Sequence, residues 1–397
     1  MKIFSRFFLA SLLLALFLVS VSNPASAGYA RMEGMGVEGD SYWAIQKDET
    51  YIFYNPAYLS KFTPQIYAAS NSGSGTSTAG DTMGGLILSP ANNFNLYFTS
   101  GRPIGYLTYP YESTFATRYG FLNDTNTRAP LHNEQGNLTA SFDMGRSAFG
   151  FNTSYSATKD NDATNQYARS VLNTNFGFLM EFSQGMSMDA SLGVTRWHID
   201  QTQSHDTVYA ADTYDFDAMV RFNMAISEIS RLHIFGIAEK LDRSETENHV
   251  EATDKYRIIR LGISDEMNIT KTSLVYAMAL IGYQRESLPG GPTKNRDVKV
   301  GAGVETNVFE CLSARFGFNR MWYQYQKTSS QNDKSLEDQD GATFSFGLGL
   351  RLGNVVLDWK IAKALLADGP YFISGNGGNY STWFEARYNF ETTTAKR

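Results

Sequence analysis

Val298-Lys299-Val300-Gly301-Ala302-Gly303-Val304-Glu305-Thr306-Asn307-Val308 sorts its side chains two ways: Val298, Val300, Ala302, Val304 and Val308 on one face, Lys299, Gly301, Gly303, Glu305 and Asn307 on the other. Successive strand side chains point to opposite faces, so such a segment has one apolar and one polar side. The pattern recurs along the chain. Phe344, Phe346, Leu348, Leu350 and Leu352 interleave with Thr343, Ser345, Gly347, Gly349 and Arg351, and Phe216, Ala218, Val220, Phe222, Met224 and Ile226 with Asp215, Asp217, Arg221 and Asn223. From about residue 136 to Phe390, such segments are separated by connectors that are alternately two to five residues long or ten or more. A soluble sandwich alternates in the same way, but three further features select a transmembrane β-barrel.

The first is the N-terminus, where Lys2 and Arg6 precede an apolar run from Phe7 to Val21, then Asn23-Pro24 and Ala25-Ser26-Ala27. This has the three parts of a secretory signal peptide, with cleavage expected after Ala27. At about 15 residues the run is short of the roughly 20 that a spanning helix needs. With no Cys after it, a lipoprotein is not indicated.

The second is composition. Twenty-seven Phe and 23 Tyr occur beside 34 Gly and only 10 Pro, yet mean hydropathy is −0.31; this combination suits an apolar exterior, aromatic rims and a polar lumen. Cys311 is the single cysteine, so no intrachain disulfide supports the fold. Removing Lys2 and Arg6 takes the net charge from −6 to −8, because residues 1–27 contain no acid. That balance argues against a nucleic-acid partner.

The third is the end of the chain. Tyr380, Thr382, Phe384, Ala386, Tyr388 and Phe390 alternate with Ser381, Trp383, Glu385, Arg387 and Asn389, a terminal aromatic strand of the kind that the barrel insertion machinery reads, followed here by Glu391 to Arg397. With Phe390 as a periplasmic strand end, long connectors fall outside, near 365–378, 327–339, 287–295, 242–254, 201–211, 158–168 and 102–135. Short turns fall inside, at Gly353-Asn354, Glu310, Met267–Lys271, Ser227–Ser230, Ser183–Met186, Gly145-Arg146 and Ser89–Asn93. With candidates near 65–71, 80–88 and 93–101, the tally is about sixteen strands, or fourteen if one hairpin is merged.

Two stretches stand apart. The connector 102–135 carries Tyr106, Tyr109, Tyr111, Phe115, Tyr119 and Phe121 with Pro103, Pro110 and Pro130. A loop this long and aromatic is expected to be structured or functional, either as a lid on the mouth or as a ligand-facing surface. The segment 28–63 has Gly34, Gly36 and Gly39 and ends in Phe53-Tyr54-Asn55-Pro56-Ala57-Tyr58-Leu59, and its place before the first strand suits a plug in the lumen. The expected organisation is therefore a signal peptide over 1–27, a plug over 28–63, a barrel over 64–390 and an extension over 391–397.

Gly34-x-Gly36, Asp48-Glu49-Thr50 and Phe53-Tyr54-Asn55-Pro56-Ala57-x-Leu59 resemble the N-terminal hatch of the long-chain fatty-acid transport porins of the FadL type. A similar hatch occurs in the shuttle barrel of the type IX secretion system. The resemblance implies fourteen strands, a hatch whose motif includes Asp48, Glu49, Asn55, Pro56 and Ala57, and passive delivery of hydrophobic molecules through a gap in the wall. Departures are the shorter mature chain, the extra strands, and Tyr58 where the family commonly has Gly. Within such a hatch, the Asn55 amide would lock the turn, Pro56 would keep the segment out of the sheet, and Ala57 would allow close approach to the wall.

A lateral opening needs a break in the ladder, for which Gly84, Gly85, Gly101 and Pro103 are the candidates, since Gly weakens a strand and Pro cannot donate to a neighbour. The charges of the polar faces, among them Asp143, Glu181, Asp189, Arg221, Glu305, Arg315, Asp358 and Arg387, are expected to point inward and to pair. His132, His198, His205, His233 and His249 show no paired metal spacing, and neither a Gly-x-Ser-x-Gly elbow nor a phosphate loop occurs. No catalysis, metal or cofactor is expected. The expected function is an outer-membrane channel for fatty acids or aromatic hydrocarbons, with outer-membrane lipids and a hydrophobic ligand as partners. The alternative is a non-transport scaffold for secretion or surface attachment.

Overall fold

The computed structural model describes residues 31, 32, 35, 37 and 44, then 51–72, 82–101, 135–161, 165–203, 206–247, 250–288, 291–328, 334–361 and 382–390. A helical turn α1 (Tyr51–Tyr54) and a 3-10 turn (Pro56–Lys61) precede β1 (Gln65–Ser72), β2 (Thr82–Ala91), β3 (Phe94–Gly101) and β4 (Gln135–Asp143). Next come β5 (Ser147–Asn161), β6 (Asn165–Ser183), β7 (Met186–Gln203), β8 (Asp206–Ala225), β9 (Ser230–Glu247) and β10 (Val250–Thr270). The wall finishes with β11 (Ser273–Leu288), β12 (Gly291–Phe309), β13 (Leu312–Thr328), β14 (Lys334–Leu352), β15 (Val355–Ile361) and β16 (Thr382–Asn389).

Each strand pairs antiparallel with its neighbours in sequence, and β1 pairs with β16 from Gln65↔Asn389 to Ser72↔Thr382, which closes the sheet into a barrel of sixteen strands. The chain's own periodicity thus outranks the fourteen that the resemblance implied. Closure leaves no edge strand, so every wall segment finds backbone partners without water, as a bilayer demands.

The two faces of the wall differ as the alternation dictates. On β8, Phe216, Val220 and Phe222 are exposed while Asp215, Asp217, Arg221 and Asn223 are buried, and on β7 Leu192 is 62% exposed beside the fully buried Asp189. In a water-soluble protein this arrangement would be inverted. An Arg or Lys moved to the lipid side near the midplane would cost about 2–4 kcal/mol. Asp143 and Glu181 share the inward register of Ser141 and Leu179 but lie at the turn end, where they are less buried. Asp143 accepts a hydrogen bond from Gly145 N at a turn, and Glu181 is half exposed where it meets Lys61.

Short turns gather at the end that also holds the start of β1 and the close of β16. Gly145 and Gly185 take φ of 84° and 92° there, a conformation that Gly reaches without the Cβ penalty. At the other end, the expected long connectors near 158–168, 201–211, 242–254 and 287–295 are mostly strand, with only 162–164, 204–205, 248–249 and 289–290 left between the ladders. About 9–11 residues cross a bilayer, whereas β8 has 20 and β10 has 21. The hairpins therefore run on past the apolar belt. Ladder hydrogen bonds do not require apolar side chains, so a polar composition concealed these strand extensions.

Candidate functional site

The backbone of residues 51–62 is folded by local rules. Asn55 N donates to Tyr51 O, and Tyr58 N to Asn55 O; Pro56, lacking an N–H, begins the 3-10 turn where no donor is needed. Asn55 Oδ1 accepts from Ala57 N at 3.1 Å. The same amide reaches outward, its Nδ2 donating at 3.2 Å to the carbonyls of Phe178 and Ala190, which face each other across β6 and β7. One fully buried side chain thus ties the turn to itself and to the wall.

The wall is shaped to receive it. A Cβ on Gly150 would strike the backbone of Pro56 and Ala57, and one on Gly177 would strike Asn55 Oδ1. On the far side, Gly303 leaves the room that the Met35 carbonyl occupies, which accepts from Tyr276 Oη at 3.0 Å. Asn175 Nδ2 donates to Phe53 O at 3.3 Å, and Ser264 Oγ to Ala44 O at 2.9 Å.

Besides the Lys61–Glu181 pair, charge fixes the segment at two further places. Arg31 donates to Glu305 Oε2 through Nε at 2.8 Å and Nη2 at 2.6 Å. Arg315 holds the other oxygen of Glu305 at 2.7 Å and Asp358 at 2.6 Å, and Arg387 also meets Asp358. Across the lumen Tyr58 Oη donates to Asp189 Oδ2 at 2.8 Å and accepts from Arg221 Nη2 at 2.8 Å. Arg221 also donates to Asp189 from Nε and Nη2 and lies 4.3 Å from the Tyr51 ring centroid. Both Arg221 and Asp189 are fully buried, and such a pair is tolerable only when it is well hydrogen-bonded.

Apolar contacts complete the seat. Met32, Met35, Val37, Ala44, Tyr51, Tyr54 and Tyr58 cluster with inward residues of the wall that include Met219, Phe235, Ile237, Met278 and Leu280. Ile52, Phe53 and Leu59 cluster with Tyr67, Ile87 and Tyr97 on β1, β2 and β3. The segment therefore touches the wall on opposite sides and occupies the lumen at the level of these contacts. Leu241, Tyr256 and Ile258 are also buried and inward-facing.

Of the residues singled out from sequence, Asn55, Pro56 and Ala57 sit at the centre of this contact. Asp48 and Glu49 lie outside the described residues, as do Pro103 and the aromatic set Tyr106, Tyr109, Tyr111, Phe115, Tyr119 and Phe121. Gly84, Gly85 and Gly101 require a correction. Gly84 pairs with Ala68 and Ser100, Gly85 with Tyr67 and Thr99, and Gly101 with Met83 and Gln135, so the ladder is continuous at all three. The absence of a side chain serves a different purpose at Gly85, where a Cβ would collide with the Tyr67 ring. Tyr67 in turn accepts a hydrogen bond from Tyr97 Oη at 2.5 Å.

No family model matches the chain, and no curated protein matches it. Among solved structures it is similar to the Pseudomonas putida toluene transporter TodX, at 10% identity and TM-score 0.42, over 94% of this chain and 100% of that one. A Pseudomonas aeruginosa FadL homologue gives 10% and 0.44 over 94% and 100%. The ferric preacinetobactin receptor BauA of Acinetobacter baumannii gives 7% and 0.44 over 75% and 54%. Hydrocarbon transporter and ferric receptor score alike, so function is argued from the lumen of this chain and not from its neighbours.

Proposed function

We propose that the protein is an outer-membrane channel for passive uptake of hydrophobic small molecules, fatty acids or aromatic hydrocarbons, with residues 28–63 acting as its plug. The observation that carries this is the mixed lining of the lumen. A general porin needs an open polar bore, whereas here Met219, Phe235, Ile237, Met278 and Leu280 form an inward apolar face against the N-terminal segment. Further inward apolar side chains, Leu241, Tyr256 and Ile258, lie farther from the short turns than this contact, and with it they would give an amphiphile an apolar lining that a polar bore lacks. The experiment is uptake of labelled oleate and of a small aromatic by cells carrying the protein, compared with cells carrying a form without residues 53–59. Equal uptake in both would falsify the transport reading, and liposome swelling with sugars would point to a general porin.

A second reading is favoured by the hairpins that project past the apolar belt. In a scaffold for secretion or surface attachment, these would present backbone and polar side chains to a partner protein. Co-purification of a stoichiometric surface or periplasmic partner, together with unchanged oleate uptake, would select it.

A further inference from the structure

The outward faces of β9 to β12 carry Lys240, Lys255, Arg257, Arg285, Lys294 and Arg296, all exposed. Register sets four of them in one row: Lys240 opposite Arg257, Arg257 opposite Arg285, and Arg285 opposite Lys294. Like charges directly opposite on one face destabilise a sheet, so this row calls for a counter-charge. The protein supplies little. Lys240 pairs with Asp242 at 2.5 Å and Lys294 has a contact of its own, but among the described residues Arg257 and Arg285 at the middle of the row, and Lys255 and Arg296 beside it, meet no carboxylate.

The height of the row identifies what else is there. Outward residues of β10 from Ile259 through Leu261, Ile263 and Met267 to Ile269 are apolar apart from Asp265. Ten residues at ~3.3 Å each, tilted by ~40°, rise about 25 Å, the height of the lipid-facing belt of such barrels. Arg257 is the next outward residue above that belt. Arg285 follows Ile281 and Tyr283 on β11 in the same way, and Arg296 lies one step beyond Val298 on β12. The cations stand at the end away from the short turns and both ends of the wall, which in this architecture is the outer leaflet.

We propose that this row is a binding site for the phosphate groups of an outer-leaflet glycolipid. Three strand spacings of ~4.8 Å make the row about 14 Å long, enough for a headgroup that carries more than one phosphate. Arginine forks match phosphate oxygens in pairs, and the acyl chains lie along Ile259, Leu261, Ile281 and Val298. The occupant is a membrane lipid and not a soluble anion, because the cations border the apolar belt.

The test is a titration of the purified protein in zwitterionic detergent with lipopolysaccharide, with phosphatidylglycerol and with inorganic phosphate, read as the midpoint of thermal unfolding. Lipopolysaccharide is expected to raise the midpoint saturably. At roughly fivefold per cation near an anionic surface, the variant Arg257→Gln/Arg285→Gln/Lys294→Gln should need on the order of a hundredfold more. Heat-modifiable gel migration checks that this variant is a folded barrel; should it not be, Arg257→Gln and Arg285→Gln alone should each need roughly fivefold more. Lys271→Gln, at the short-turn end, should leave the response unchanged. An unchanged lipopolysaccharide response in the row variants would overturn the proposal. So would phosphatidylglycerol matching lipopolysaccharide, or inorganic phosphate alone reproducing the shift.

Discussion

Asn55 makes three hydrogen bonds with one buried amide, so Asn55→Ala leaves Ala57 N and the carbonyls of Phe178 and Ala190 without that partner. The loss expected is about 1–3 kcal/mol, seen as a lower midpoint of urea unfolding in vesicles. Asp189→Asn should cost more than Tyr58→Phe. The first leaves Arg221 buried opposite a neutral amide, a change of about 3–5 kcal/mol for a broken buried pair. The second removes one hydroxyl and about 1 kcal/mol; equal losses would show that Tyr58 and not the ion pair fixes the segment. The Asn-Pro-Ala turn was legible because its chemistry is local. Its receptor was legible only in part: Asp189 and Arg221 could be read as inward charges that pair, but their meeting with Tyr58, beside the room left by Gly150 and Gly177, involves four strands that only the fold brings together. A usable signal did exist, as Gly177 on β6 is a gap among the larger inward residues Asn173, Asn175 and Leu179, and Gly303 on β12 another, each where the N-terminal segment comes close.

Strands were the most legible level, because period-two alternation is written into every wall segment and fixes which side chains meet lipid. Leu261, 57% exposed on β10, should tolerate Ala with little change, but Leu261→Arg should destabilise the barrel by about 2–4 kcal/mol, measured by unfolding in vesicles. Strand length was less legible. Above the belt both faces turn polar, so the sequence there resembles a loop, although Asp242↔Lys255 continues pair by pair to Glu247↔Val250. These extensions lie outside the lipid. Deleting 243–254 and joining the ends with a two-residue turn should therefore leave a heat-modifiable barrel with nearly the same midpoint. A collapse of folding would mean that the upper ladder nucleates the wall.

At the scale of the molecule, wall and filling are separable in bonding: strand pairing closes the wall by itself, and the N-terminal segment attaches through side chains and its own short turns. Removal of 28–63 should thus yield a closed barrel that is less stable and passes ions. Planar-bilayer recording is expected to show low conductance for the whole mature chain and a larger, steady conductance for the truncated one; equal values would remove the plug from the account. The closed ring also bears on how the protein is made. Gln65↔Asn389 and Ser72↔Thr382 join the earliest strand to the latest, across nearly the whole length of the wall. That junction cannot form until synthesis and export are finished, and contacts this distant in sequence are slow to form. Until then β1 and β16 both present raw edges. A chain cut short before Thr382, and so without β16, should have no stable resting form in the membrane, so the closing strand is inspected by geometry before the barrel can exist at all.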